Sequence, residues 1–114
     1  MLLVGMLDSP YVRRCAIAGT VLGLTFEHQS VSVFRHMDRF RTINPVIKAP
    51  SAVADDGTVL MESSLILAHM EDLAGRSLRP AAPAARVTDL RITGLGTVIC
   101  EKAISIEYER KRPA

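Results

Sequence analysis

The start of the chain constrains the fold most, because an apolar strand signal runs directly into a helix-start signal. Residues 2–6, with the sequence Leu-Leu-Val-Gly-Met, form a short continuous apolar run. Such a run is typical of a strand buried on both faces of a sheet that helices cover. Ser9 then favours an N-cap and Pro10 the first helical position. We therefore predict a helix that continues to about Leu22 and ends at Gly23.

The following segments predict a sheet of mixed direction. Residues 25–33 fit a second strand, which gives a strand-helix-strand unit with a right-handed crossover. Residues 34–43 predict a short helix that Asn-Pro ends. Residues 51–54 and 58–61 flank the Asp-Asp-Gly sequence at 55–57, and this pattern predicts an antiparallel hairpin.

A further helix signal closes the domain. It begins at Glu-Ser-Ser, residues 62–64, and ends at Gly75. The resulting βαβ-αββα order predicts an α/β, thioredoxin-like domain over residues 1–75, with a four-stranded mixed sheet and helices on both faces. Residues 76–83 are rich in Pro and Ala and predict a linker. The rest of the chain, 84–114, predicts one long α-helix, to about Arg110, as the first helix of an incomplete all-α domain.

Composition excludes several classes of function. The 48% hydrophobic and 23% charged fractions indicate a folded domain. A net charge of +2 from interspersed charges, with only 4% aromatic residues, argues against binding of nucleic acid. The two cysteines and three histidines have no metal-ligand spacing, so we expect no metal site. The apolar N-terminus has no basic segment and is too short for a signal peptide or membrane span, which predicts a cytoplasmic protein.

Ser9 lies where such a fold presents a side chain to a ligand. The first helix starts at the C-terminal edge of the first strand, so its N-cap faces the binding crevice. The unpaired N–H groups and the helix dipole favour an anion there, and a thiolate is one such anion. A hydroxyl that donates to a thiolate contributes about 1.5–3 kcal/mol, which lowers the thiol pKa by roughly one to two units. The alternative is that Ser9 only caps the helix.

Two further positions fall on the same edge of the predicted sheet. Pro50 precedes a strand at the place where a thioredoxin-like fold has a cis proline. A cis bond would turn the main chain of Ala49 outward to pair with an extended peptide, whereas the pattern alone favours an ordinary trans proline at a strand start. Glu62 and Ser63 open a helix, where they would bind a ligand ammonium group and a carboxylate. Simple capping is the alternative for this pair.

Three blocks in order resemble the N-terminal domain of bacterial glutathione S-transferases. They are Ser-Pro-Tyr-Val-Arg-Arg at 9–14, Asn-Pro-Val-Ile-Lys-Ala-Pro at 44–50, and Asp-Asp-Gly at 55–57 with Leu-Met-Glu-Ser-Ser at 60–64. The resemblance covers residues 1–75, and the helix that follows resembles the start of the family's all-α C-terminal domain. One departure is Ala49, since the family usually has Val or Ile before the proline.

The resemblance implies glutathione as the ligand. Ser9 would activate the glutathione sulfur, the main chain of Ala49 would pair with the cysteinyl part, and Glu62 with Ser63 would hold the γ-glutamyl end. Lys48 would meet the glycine carboxylate, although a solvated surface lysine is the alternative. The implied reaction is thiol transfer to a small hydrophobic electrophile, as in detoxification, with no metal or organic cofactor beyond glutathione as co-substrate.

Two other functions remain open at this point. One is a non-catalytic module that binds glutathione or only a protein partner. The other is a glutathione-dependent thiol reductase, against which Ser9 counts because reductases of this fold usually have Cys there. The family's second domain is a bundle of several helices that walls the electrophile pocket, so a truncated chain is expected to have weak or absent turnover. The uncovered apolar stripe of the last helix, together with the resemblance, implies a homodimer.

Overall fold

A four-stranded mixed sheet organises the first part of the chain in the structure, a computed structural model that describes residues 1–113. The strands are β1 (Leu2–Val4), β2 (Glu27–Gln29), β3 (Ser51–Val53) and β4 (Val59–Met61). Their order across the sheet is β2-β1-β3-β4. Strand β1 is parallel to β2 and antiparallel to β3, and β3 is antiparallel to β4. The predicted four-stranded mixed sheet is confirmed.

Four helices complete the described chain: α1 (Pro10–Val21), α2 (Met37–Ile43), α3 (Ser63–Ala74) and α4 (Pro83–Arg110). Helices α1 to α3 belong to one compact unit, residues 1–78, and a second unit begins at Arg79. The order of elements is the predicted βαβ-αββα, followed by one long helix. The predicted linker 76–83 follows the C-cap of α3 at Gly75, and its last residue, Pro83, is the first residue of α4.

The alternating side chains of β1 divide the core of the first unit between the two faces of the sheet. Leu3 packs with Ile66 and Met70 of α3 and with buried residues of α1 on one face. Val4 packs with Phe40 of α2 on the other face. Leu3, Val4 and Phe40 are completely buried. Successive side chains of a strand point to opposite faces of the sheet, so this three-residue strand packs against helices on both sides.

The region between β2 and α2 differs from the predicted extents. Strand β2 ends at Gln29, and α2 begins at Met37 rather than Phe34. The Ser32 hydroxyl accepts hydrogen bonds from the backbone N–H groups of Phe34 and Arg35. These local bonds hold a turn where the sequence pattern predicts the end of a strand and the first helical turn.

The buried face of α1 is narrower than the sequence pattern indicates. Val12, Cys15 and Gly19, which recur at helical spacing, are buried, but Ile17 and Val21, which would widen this apolar face, are more than half exposed. A Cβ atom on Gly19 would lie 2.7 Å from the Phe26 ring, so the glycine lets the helix approach the chain next to β2 closely.

Helix α4 buries none of its residues. Seven of its large apolar side chains and one tyrosine are about half exposed or more: Val87, Leu90, Ile92, Leu95, Val98, Ile99, Ile106 and Tyr108. The predicted helix over 84–110 is confirmed, and residue 114 of the predicted segment lies outside the described residues. Neither α4 nor any other described helix has the length and apolar character required to cross a membrane.

Candidate functional site

Ser9 caps α1 and keeps its hydroxyl proton available. Its side-chain oxygen accepts a hydrogen bond from the Val12 N–H at 3.4 Å, and its carbonyl accepts from the Arg13 N–H. The Arg13 side chain also donates to the Leu7 carbonyl at 3.0 Å, which holds the preceding loop against the helix. The Ser9 hydroxyl donates to no acceptor among residues 1–113. A partly exposed hydroxyl in this arrangement is free to donate to an anion at the helix start.

Gly5 brings the start of α1 close to the loop that carries Ala49. It is buried and has a φ of +141°. A Cβ atom there would lie 2.6 Å from Val12 Cγ2 and 3.4 Å from the Ala49 Cβ. The end of β1, the first turn of α1 and the Ala49 loop therefore meet at one point, and only a residue without a side chain fits between them.

The loop before β3 is fixed by buried polar side chains. Asn44, which is 2% exposed, donates from Nδ2 to the Ser51 Oγ at 3.0 Å and accepts from the Val46 N–H at 3.0 Å. The Ser51 hydroxyl in turn donates to the Lys48 carbonyl. The buried side chain of Asn44 thus joins the main chain of the loop at Val46 to Ser51 at the start of β3.

Within this loop the Ala49–Pro50 peptide bond is cis, the form that the sequence pattern alone disfavours. Pro50 is completely buried, Ala49 is half-buried and Lys48 is exposed. The main-chain N–H and C=O of Ala49 form no hydrogen bond with any other residue of 1–113. An extended ligand could pair with these groups as an added strand does.

The start of α3 combines a strained residue with a buried hydroxyl. Glu62 is exposed and has φ 75° and ψ 117°, a conformation that costs a non-glycine residue about 1–3 kcal/mol. Its carboxylate accepts from the Ser64 hydroxyl at 3.4 Å. Ser63 is 3% exposed, and its Oγ accepts from Nη1 of Arg14 at 3.1 Å. Strain of this kind is concentrated at functional sites, where surrounding contacts maintain it.

Cys15 lies directly behind this helix start and is not a nucleophile. Its thiol is buried and donates to the Ser63 carbonyl at 3.7 Å. Burial raises the pKa of the Cys15 thiol from 9.0 to about 11, against a smaller lowering by Arg14 and a small further rise caused by Glu62. A thiol with such a pKa stays protonated near neutral pH and has little nucleophilic character.

The strand register brings the predicted site residues to one edge of the sheet, namely the end at which β1 and β4 finish and β3 begins. Val4 pairs with Ser51, and Ser51 pairs with Met61. In the chain, Ser9 comes after Val4, the Ala49–Pro50 turn comes directly before Ser51, and Glu62-Ser63 comes directly after Met61. All of these residues therefore lie along the same edge. Lys48 is on the same loop, but its side chain is exposed to solvent and has no hydrogen-bond partner among residues 1–113.

Sequence reasoning missed four residues that hold this edge together: Gly5, Arg14, Asn44 and Ser51. Their signals in the sequence are ambiguous, since Asn44 before Pro45 also fits a helix stop and Arg14 on a predicted helix also fits a solvated surface charge. At the opposite edge a shallow depression of about 450 Å³ contains none of the predicted site residues; it is lined by Met1, Leu2, Thr25, Phe26, Glu27, Val53, Ala54 and Asp55.

The fold and this edge define a thioredoxin-like domain of the kind found in glutathione transferases. Residues 3–80 match the family described as glutathione S-transferase, N-terminal domain. The match covers more than half of the chain, so the chain belongs to this family. The resemblance stated from the three sequence blocks is confirmed.

Known proteins agree with this assignment. The chain is 27% identical over its whole length to the GST-like protein YibF of Escherichia coli K12, of which it covers 57%. It is 42% identical over 67 residues, 54% of this chain, to protein LigF of a Sphingobium species, of which it covers 26%.

A solved glutathione S-transferase from Methylobacterium radiotolerans, in complex with glutathione sulfonate, has a TM-score of 0.86 and 28% identity. That alignment covers 98% of this chain and 53% of the solved one. The chain therefore spans about half the length of the relative from E. coli and of this structure.

Proposed function

We propose that the chain binds glutathione at the edge formed by Ser9, Ala49 and Glu62-Ser63 and activates its thiol for transfer to a small hydrophobic electrophile. The observation that carries the proposal is the convergence of two helix starts and an unpaired main-chain segment at this edge. The fold match to a glutathione S-transferase that is complexed with glutathione sulfonate supports the choice of ligand.

Each proposed contact rests on the chemistry of the group concerned. The free Ser9 hydroxyl donates to the ligand sulfur, and the Ala49 N–H and C=O pair with the cysteinyl residue. The exposed Glu62 carboxylate binds the ammonium group of the γ-glutamyl end, and Ser63 binds its carboxylate. Lys48, on the loop ending at Pro50, meets the glycine carboxylate as a flexible surface cation.

The proposed reaction needs no base from the protein. The glutathione thiol releases its proton to solvent because the Ser9 hydroxyl and the α1 dipole favour the thiolate. The sulfur then attacks the electrophilic carbon, a C–S bond forms, and the electron pair leaves with the displaced group or moves into a conjugated acceptor. Binding contributes by holding the thiolate beside the electrophile. We propose no metal and no further cofactor, and glutathione acts as co-substrate.

A calorimetric titration with glutathione tests the binding proposal. We expect a saturable site, weakened several-fold by Glu62→Ala because the ligand ammonium loses a charged partner. Glu27→Ala is the matched control, since Glu27 is an exposed carboxylate at the opposite edge of the sheet. Absence of saturable heat at millimolar glutathione would refute the proposal.

A second candidate function is glutathione binding without turnover. The observation that favours it is α4, none of whose described residues is buried, so that its apolar side chains are open to solvent. A conjugation assay with a panel of electrophiles separates the two functions, because only the transferase consumes glutathione. This second function agrees with saturable binding and no product, whereas product formation excludes it.

We also propose that the chain forms a homodimer and works in the cytoplasm. The exposed apolar residues of α4 would form a patch larger than soluble monomers usually tolerate, and a second copy would cover it. Cys15 and Cys100 are free thiols, as expected in a reducing compartment where a detoxifying transferase meets glutathione. Sedimentation equilibrium at micromolar concentration should give twice 12.4 kDa, and a mass of 12.4 kDa would contradict the dimer.

A further inference from the structure

Arg14 connects α1 to the start of α3 through one long-range hydrogen bond. Its Nη1 donates to the Ser63 Oγ at 3.1 Å, although the two residues are 49 positions apart in sequence. Arg14 is half-buried, whereas the side chain of its neighbour Arg13 is exposed and donates to the Leu7 carbonyl in the loop before α1. The guanidinium therefore lies against the buried hydroxyl that the proposed glutathione site uses.

The charge of Arg14 has no carboxylate partner among residues 1–113. The arginines that form ion pairs in the described chain do so with nearby acidic residues, as Arg41 does with Asp38 at 3.3 Å. Arg14 instead donates to a neutral hydroxyl at the positive end of a helix dipole. The half-buried guanidinium therefore adds a positive charge at the start of α3, next to the buried Ser63 hydroxyl and separate from the exposed carboxylate of Glu62, and this charge favours an anionic ligand group at Ser63.

The hydrogen bond also decides the direction of the Ser63 hydroxyl. A guanidinium has five N–H donors and no acceptor, so Ser63 Oγ must accept from it. The hydroxyl proton then points away from Arg14 and is available to another acceptor. An ionised carboxylate is a pure acceptor and matches this donor.

We propose that Arg14 is a positioning residue that fixes Ser63 as a donor to the α-carboxylate of the γ-glutamyl group and so makes the site selective for ligands with that carboxylate. The inference rests on the proposed function, because it assumes that glutathione binds at this edge. It assigns to Arg14 a role in ligand choice that differs from packing α1 against α3.

The test compares two peptides by calorimetric titration: glutathione and 4-aminobutyryl-cysteinyl-glycine, which differs from glutathione by the missing α-carboxylate. Wild type should bind glutathione about tenfold or more tightly than the analogue, since a charge-assisted hydrogen bond is lost. Arg14→Met should weaken glutathione about tenfold and leave the affinity for the analogue unchanged. Ser63→Ala should act in the same way, and Arg14→Met with Ser63→Ala should cost little more than either change alone.

Two further variants serve as controls. Arg41→Met removes an equal charge from the surface of α2 and should change neither affinity. Arg14→Lys keeps the charge and a donor, and should recover most of the selectivity for glutathione even where Arg14→Met folds poorly.

Distinct outcomes separate this inference from the proposed function. Equal weakening of both peptides by Arg14→Met, with the ratio of the two affinities unchanged in Arg14→Met and Arg14→Lys, would show that Arg14 only supports packing. Unchanged glutathione affinity in Arg14→Met would overturn the role outright. Failure of wild type to bind glutathione would instead remove the proposed function, and this inference with it.

Discussion

Replacement of Ser9 by Ala isolates the proposed activation of the glutathione thiol. The change removes one hydroxyl that receives a long cap bond from Val12 N–H, at 3.4 Å, and has its proton free. Because the cap bond is long, we expect its loss to cost only about 0.5–1 kcal/mol of the free energy of unfolding. The fold and the contacts of Ala49 and Glu62 should persist, so glutathione affinity should change little.

The expected effect falls on the pKa of the bound thiol. A hydrogen bond from a hydroxyl to a thiolate is worth about 1.5–3 kcal/mol, and 1.36 kcal/mol corresponds to one pKa unit. Ser9→Ala should therefore raise the pKa of bound glutathione by roughly one to two units, towards the ordinary thiol value of about 8.5. Below its pKa, each unit lowers the thiolate fraction about tenfold, so any turnover near neutral pH should fall in proportion.

Thiolate absorbance as a function of pH measures this shift. The complex with S-methylglutathione provides the background, because it has the same protein thiols and no free ligand thiol. Cys15 contributes little below pH 10, since burial raises its pKa to about 11. Thr20→Ala is the matched control: Thr20 is exposed on α1 and its hydroxyl donates to the Ala16 carbonyl at 2.9 Å. An unchanged midpoint in Ser9→Ala, with glutathione bound, would show that Ser9 is only a helix cap.

Three other predictions concern the residues around the site. Gly5→Ala should lower the free energy of unfolding by about 2–4 kcal/mol in urea titrations, because its Cβ would lie 2.6 Å from a Val12 methyl group at a positive φ. Gly57→Ala, also at positive φ but with open space around the Cβ, should cost clearly less, and an equal cost would contradict the close-approach argument. Asn44→Ala should destabilise the fold by about 1–3 kcal/mol and weaken glutathione binding, because the Val46 N–H and the Ser51 hydroxyl each lose a partner. Unchanged stability and affinity would show that the loop does not depend on Asn44. The raised pKa of Cys15 keeps its thiol protonated in the folded state at a pH where the unfolded chain ionises. The free energy of unfolding should therefore fall as pH rises from 9.0 towards about 11. If the free energy of unfolding of Cys15→Ala fell with pH as steeply as that of wild type, this prediction would be refuted.

Local signals in the sequence predicted the elements and several of their ends, although not the extents of β2 and α2. Ser9 and Pro10 predict the start of α1, and Gly75, with a φ of 67°, ends α3 as predicted. The hairpin turn also forms where Asp55-Asp56-Gly57 predicts it, with Asp56 accepting from the Thr58 N–H at 2.9 Å. Caps and turns depend on groups within about four positions of each other, so their chemistry is visible in the sequence. Two of the three family blocks, at 9–14 and 55–64, contain local features of this kind.

Tertiary structure alone decided which residues support the candidate site. The Arg14–Ser63 hydrogen bond joins positions 49 apart, and nothing in either local sequence distinguishes it from a solvated arginine and a capping serine. The need for glycine at position 5 arises because Val12 and the Ala49 loop approach it from different elements.

The exposure of hydrophobic residues on α1 was likewise decided by the tertiary structure. Ile17 and Val21 fit an amphipathic helix, yet the α1 surface that packs on the sheet and α3 does not reach them. Periodicity gives the spacing of a helix face but not the width of the surface that covers it. Close approach, pairing and burial depend on distances between elements, which the order of residues determines only through the complete fold.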